Sequence, residues 1–129
     1  MSGSECLLDT NIIIALFNGE ATVVEKIDKL EIVQRSLIVV GERYYGALKS
    51  AKTQQNMQRI RFFLSLCHIF PSDEETSYWY GYSRDSLRQK GKPIPGNDIW
   101  IAATTQQHQL TLVSRDQHFR QIDNLTVVV

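Results

Sequence analysis

The 129-residue sequence has few extremes, and what it lacks excludes several kinds of protein. Its two cysteines, Cys6 and Cys67, make neither a C-x-x-C pair nor a zinc-ligand spacing, which excludes a disulfide scaffold and a zinc ribbon. Both sit among apolar neighbours and read as buried, reduced thiols. Three prolines and seven glycines are too few for a collagen-like or disordered chain. Apolar runs such as 37–40 and 127–129 fall far short of the ~20 residues of a membrane helix. The opening residues lead straight into a strand-like run, so no signal peptide is expected and the expected location is cytoplasmic. Internal repeats, low-complexity segments and linkers are lacking as well. Fourteen basic residues balance fourteen acidic ones, and this zero net charge at first argues against a strongly basic nucleic-acid binder.

What is present is ordinary globular composition, 43% hydrophobic and 22% charged. A chain of this length buries roughly two-thirds of its unfolded surface, enough for one core, so residues 1–129 are expected to form a single domain. Short apolar runs alternate with segments of helical spacing. Strands are expected at 6–8, 31–35, 68–70, 110–113 and 125–129. Helices are expected at 12–17, 21–30, 37–49 and 54–66, then from Asp73 to about residue 90 and from Pro95 to about 107, with a helical turn at 117–121. Thr10 or Asn11 is the expected cap of the first helix and Ser36 of the third, since these side chains accept hydrogen bonds from orphan N–H groups. Gly91 and Pro93 stand where a helix stop belongs. Gly41 and Gly46 lie inside a helix at a cost of roughly 1 kcal/mol each, which suggests a close approach there. The strands read as short and apolar rather than alternating, which suits a parallel sheet covered on both faces. The expected fold is α/β, a three-layer α/β/α sandwich around a short, mainly parallel sheet, with ligands beyond the carboxyl ends of the strands.

Four acids fall where such a fold binds ligands. Asp9 ends the first strand and Asp116 lies just past the fourth, so both face one sheet edge. Asp98 opens a helix whose next residues, Ile99-Trp100-Ile101-Ala102-Ala103, are nearly all apolar. Glu42 sits inside the third helix, between an apolar run and Tyr44-Tyr45. Each has a structural reading: Asp9 and Asp116 as turn residues, Asp98 as an N-cap or dipole partner worth ~1 kcal/mol, Glu42 as the partner of Arg35 or Arg43. Together, however, four converging carboxylates repel, and without compensation some take up protons. Hard divalent cations with oxygen ligands are the usual compensation. A cluster without His or Cys suits Mg²⁺ or Mn²⁺ better than zinc. One or two such ions activate a water and stabilise the leaving oxygen of a phosphodiester.

These residues resemble a known family. Leu7-Leu8-Asp9-Thr10-Asn11 is similar to the opening signature of PIN-domain ribonucleases. Val40-Gly41-Glu42-Arg43-Tyr44-Tyr45-Gly46 resembles their second motif, Pro95-Gly96-Asn97-Asp98-Ile99-Trp100-Ile101-Ala102-Ala103 the third, and Leu112-Val113-Ser114-Arg115-Asp116-Gln117-His118-Phe119 the fourth. Within that family the chain is most similar to the VapC toxins of type II toxin–antitoxin pairs. The resemblance implies a PIN-like fold and a Mg²⁺- or Mn²⁺-dependent endoribonuclease. In it, Asp9, Glu42, Asp98 and Asp116 would hold the metal, and metal-activated water would attack an RNA phosphodiester of tRNA or rRNA. Thr10, Asn11 and Ser114 would orient the carboxylates, with helix capping and turn formation as the competing use of Thr10 and Asn11. The resemblance also implies a homodimer and a cognate VapB-like antitoxin that covers the site. Two departures stand out: Ser114 replaces the commoner Thr but keeps the hydroxyl, and Arg43 stands where an apolar residue is more usual. The alternative is a PIN-fold subunit of a DNA-binding regulatory toxin–antitoxin complex with little nuclease activity. A haloacid-dehalogenase phosphatase would need a second Asp two residues after the first, where Asn11 stands.

Other groups weigh less in this reading. His68, His108 and His118 are read as surface or packing residues rather than acid–base groups or ligands. Tyr44, Tyr45, Tyr78, Trp79, Tyr80 and Tyr82 are read as core or dimer-seam residues, with base stacking as the lesser alternative. The zero net charge also divides unevenly: residues 43–92 carry nine basic residues against four acidic ones. Arg59, Arg61, Arg84, Arg88, Lys90 and Lys92 are thus candidates for phosphate contacts, and neutrality does not exclude RNA.

Overall fold

The computed structural model describes residues 5–22, 32–65 and 68–128, with the backbone alone at 5, 32–35 and 68. The expected helix at 21–30 falls almost wholly outside the described residues, as do Cys67 and Val129. Among those described, the strands are β1 (Glu5–Leu8), β2 (Ile32–Ser36), β3 (His68–Phe70), β4 (Thr111–Val113) and β5 (Thr126–Val128). They form one all-parallel sheet in the order β3-β2-β1-β4-β5. The helices are α1 (Thr10–Phe17), α2 (Leu37–Leu48), α3 (Thr53–Leu64), α4 (Glu74–Lys90) and α5 (Gly96–Gln107), followed by a 3₁₀ turn at Gln117–Gln121.

Burial follows from this topology. Cys6, Leu7 and Leu8 are consecutive in β1, point alternately to the two faces, and are all buried. Leu112 and Val113 of β4 are buried in the same way. Both faces of the central strands are therefore covered, the sandwich expected from their unbroken apolar character. From β1 the chain steps outward to β2 and β3, then crosses to the other side for β4 and β5. The strand order thus reverses between β1 and β4, and an open α/β sheet forms its ligand crevice at such a point, beyond the carboxyl ends of the strands.

The element ends have local causes. Ser36 caps α2 by accepting the Val39 N–H at 3.2 Å, as expected. Asp73 caps α4 in a capping box with Thr76, and Oδ1 of Asp73 also accepts from the Gln107 amide at 2.7 Å, tying α4 to the end of α5. Gly91 ends α4 in the left-handed conformation, φ 69°, and the Lys92 N–H returns to the Leu87 carbonyl. The expected strand at 110–113 starts one residue late because α5 closes in the same manner. Gln109 takes φ 54° and the Leu110 N–H is spent on the Thr105 carbonyl. The expectation that Gly41 and Gly46 mark a close approach is not met. A Cβ at Gly41 would have no neighbour within 4 Å, and one at Gly46 would meet only Arg43 Nη1, at 3.5 Å.

Phe119 is fully buried in the 3₁₀ turn and belongs to the core cluster with Leu112 and Ile101. It anchors the segment that leaves β4 for the sheet edge. Phe119→Ala is expected to lower unfolding stability by about 3–5 kcal/mol in urea titrations. A loss under about 1 kcal/mol would show that the turn is not held by the core.

Candidate metal and active site

Asp9, Glu42, Asp98 and Asp116 come from four different elements and line one cleft of about 480 Å³ with Thr10, Asn11, Ile14, Tyr45 and Asn97. Asp9 follows β1 directly. Its backbone is extended, φ −77° and ψ 162°, and its Oδ1 accepts the Thr10 N–H at 2.8 Å, so Asp9 is itself the N-cap of α1. This corrects the expectation that Thr10 or Asn11 caps the helix. The chain turns at Asp9, and only the residue at the turn keeps the non-helical backbone that a cap needs. Thr10 and Asn11 are freed for other partners. The Thr10 hydroxyl donates to Glu42 Oε1. Asn11 reaches Ser114 Oγ at 3.5 Å through its amide nitrogen and accepts the Arg115 N–H at 3.3 Å through its oxygen.

Ser114 is the node between the two strands that flank the crevice. Its N–H donates to the Val128 carbonyl at 2.9 Å, which fixes its backbone on the sheet. Its hydroxyl donates to Asp9 Oδ2 at 2.7 Å and accepts the Asp116 N–H at 3.0 Å. Asp116 caps the 3₁₀ turn, accepting the His118 N–H at 2.9 Å. Asp98 is the third residue of α5, whose N-cap position is Pro95; it therefore does not cap that helix, and its carboxylate turns to the cleft. Glu42 is half-buried, so the oddity of a carboxylate in an apolar helix is resolved by where it points. It is not paired with Arg43: Oε2 accepts from Asn97 Nδ2 at 3.3 Å. The Arg43 guanidinium instead lies 5.8 Å from the centre of the Phe17 ring, with its buried Nε unpartnered. Burial, and then the charge of Arg59, draw the Arg43 pKa down.

His118 is exposed, as its reading as a surface residue expects, and it also faces two of the acids. Nδ1 lies 3.1 Å from Asp98 Oδ2 and 3.2 Å from Asp116 Oδ1. One ligand atom each from Asp98, Asp116 and His118 fall within 4.8 Å of one another, the spacing of a metal-ligand group. Its signal in the sequence was the Asp-x-His spacing in the turn, which points side chain and cap to one side. Asn97 was also missed; nothing local marks it, because its partner lies on α2.

The electrostatics fit a cation. Burial pushes the Asp9 carboxyl up to about 6, opposed by its hydrogen bonds from Ser114 and Thr10 and reinforced by the charges of Asp98 and Glu42. Asp98 is also raised, first by burial, against the His118 hydrogen bond, with Asp116 and Glu42 adding repulsion. Among the described residues no lysine or arginine is ion-paired to any of the four acids. Carboxylates crowded and partly desolvated without a lysine or arginine partner suit a hard divalent ion held by oxygen ligands.

Other expectations shift as well. Of the residues read as core or dimer seam, Tyr45, Tyr78 and Tyr82 are outside the core of the single chain, while Tyr80 stacks on Trp100 at 4.1 Å and packs against the core. Of the six cations offered to phosphate, Lys90 is paired with Asp123 at 2.6 Å and Arg88 with Asp85 at 2.7 Å. Arg59 donates to the Phe17 carbonyl and Arg84 to the Tyr80 hydroxyl. No helix of the described residues is long and apolar enough to cross a membrane.

The PIN domain family model matches residues 6–125, and the chain belongs to that family. It is similar to ribonuclease VapC2 of Rickettsia felis, 34% identical over 124 residues and 92% of each chain, which sets it in the VapC branch. Among solved structures it resembles FitAcB from Neisseria gonorrhoeae, with TM-score 0.89, 32% identity and 96% of each chain covered. It also resembles VapBC2 from Rickettsia felis bound to a DNA fragment from their promoter, with TM-score 0.88, 31% identity, and 95% of this chain and 96% of that one covered.

Asp9 gives a pH dependence with a definite sign. A carboxyl whose folded pKa is raised costs stability once the unfolded chain ionises, so the penalty grows from pH ~4 and is complete above about 6. In chelator at pH 7.5, Asp9→Asn is expected to be more stable than the wild type by about 1–3 kcal/mol, with the gap closing at pH 4. Urea titrations at the two pH values measure it; a gap that does not change with pH would contradict a strained Asp9.

Proposed function

We propose that this chain is a VapC-type endoribonuclease toxin that depends on Mg²⁺ or Mn²⁺ and cuts cellular RNA, tRNA or rRNA, in the cytoplasm. It acts as a homodimer and is neutralised by a VapB-like antitoxin. One observation carries the reading: four carboxylates from four elements line a single cleft at the β1–β4 crevice of a VapC chain. Asp98 and Asp116 would hold the cation, with Asp9, Glu42 and the imidazole of His118 beside them. When bound, the cation supplies a Lewis acid that brings the pKa of water toward neutrality and offsets charge on the phosphodiester.

The chain's own residues keep the carboxylates ready. Ser114 fixes one Asp9 oxygen and the Thr10 N–H the other, so the group neither rotates nor relaxes away from its neighbours. The Thr10 hydroxyl and the Asn97 amide divide the two oxygens of Glu42 between them. Partners of this kind typically contribute 10- to 100-fold in metal affinity or activity. A second reading makes the chain a regulatory subunit of a DNA-binding complex, favoured by the promoter-bound form of the Rickettsia felis relative. The presence of all four acids in one cleft weighs against a subunit without catalysis.

Incubating the purified protein with total RNA tests both. Cleavage is expected with Mn²⁺ and none in chelator. Asp116→Asn, still folded by circular dichroism, is expected to lose about a thousandfold or more. Ser114→Ala should lose 10- to 100-fold while Ser114→Thr keeps activity. Metal-independent cleavage, or full activity in folded Asp116→Asn, would falsify the proposal; no cleavage by the wild type under any metal condition would favour the regulatory subunit.

A further inference from the structure

We infer that Tyr45 and Lys49 form a nucleotide subsite beside the carboxylate cleft: Tyr45 stacks on an unpaired base flanking the scissile phosphodiester, and Lys49 takes the next backbone phosphate. The inference rests on the ribonuclease reading above and specifies its substrate as a single-stranded segment. Glu42 and Tyr45 on α2 and Lys49 at its C-cap lie three and four residues apart and so continue one face. Glu42 begins that row inside the cleft, and Tyr45 lines the same cleft.

Tyr45 is 65% exposed, an unusual state for an aromatic ring with an acidic cleft at its edge. Among the described residues its contact is the Lys49 ammonium, 5.0 Å from the ring centre, and its hydroxyl has no hydrogen bond. Lys49 itself has no ion pair among those residues, whereas Lys90 and Arg115 are each matched to a carboxylate. Ile14, 41% exposed, adds apolar surface to the cleft. A ligand that satisfies this row presents a phosphate to the carboxylate-held cation, a flat apolar face to Tyr45 and a second negative charge to Lys49. A nucleotide strand has those groups in that order, and base–aromatic stacking tolerates any base. A base paired within a duplex cannot offer its face, so the subsite selects loops and other unpaired segments.

The experiment compares wild type, Tyr45→Ala, Tyr45→Phe and Lys49→Ala on a single-stranded oligoribonucleotide that the wild type cuts, and on copies with one abasic position. Tyr45→Ala is expected to raise KM about tenfold or more with a smaller change in kcat, and Tyr45→Phe to restore it. Lys49→Ala is expected to lower the log–log salt slope of binding by about 0.7. An abasic residue at the flanking position should cost the wild type as much as the Tyr45→Ala change and cost that variant little more. Mn²⁺ affinity and the melting temperature should be the same in all four proteins. Unchanged KM in Tyr45→Ala, or abasic and alanine effects that simply add, would overturn the subsite. So would a loss of antitoxin affinity with RNA kinetics untouched, which would assign the face to a protein. Oligonucleotide affinity measured in Ca²⁺ separates the two proposals: absent cleavage by the wild type counts against the nuclease, whereas equal affinity of wild type and Tyr45→Ala counts against the subsite.

Discussion

The hydrogen bond from the Ser114 hydroxyl to Asp9, 2.7 Å long, couples the ends of the two strands between which the sheet reverses its order. The same oxygen receives the Asp116 N–H, so a single side chain fixes the entry to the 3₁₀ turn and the orientation of the most buried carboxylate. Everything else at the site is arranged around this link. The turn brings His118 back toward Asp98, and Asp9 starts the helix whose first residue holds Glu42. Both contacts are made by the hydroxyl oxygen of Ser114.

The cleft is costly to build and is paid for by the surrounding fold. Burial disfavours the charged form of Asp9, and neighbouring carboxylates add to that cost. The buried strands and Phe119 hold these groups together against their repulsion. A bound cation would remove the repulsion, and stability and metal binding would then be coupled through the same residues. Surface pairs such as Lys90 with Asp123 contribute little by comparison, since they are solvated and screened.

Much of the fold was legible because its causes are local. Ser36, Asp73 and Gly91 act at the helix ends where their chemistry placed them, and the central strands β1 and β4 were buried on both faces. Asp9 and Asp116 were legible as candidates because strand ends in a parallel sheet share an edge, and Asp98 and Glu42 because they are acids set in apolar helices. Thr10 and Asn11 were misassigned as caps since sequence does not show at which residue the chain turns. The contact of His118 with Asp98 was not legible because the two lie 20 residues apart. Tyr45 was read as a core or dimer-seam residue, and the packed chain leaves it outside the core.

The sequence by itself determined the order of strands and helices, the parallel sheet and the identity of the acids, because these depend on spacing and residue chemistry along the chain. The tertiary structure alone decided which side chains meet: Asp9 with Ser114 across 105 residues, Thr10 with Glu42 across 32, Asn97 with Glu42 across 55. It also decided which charges are desolvated and which cations are already paired. Those properties arise from the distance between groups in space, and chain spacing sets that distance only within an element.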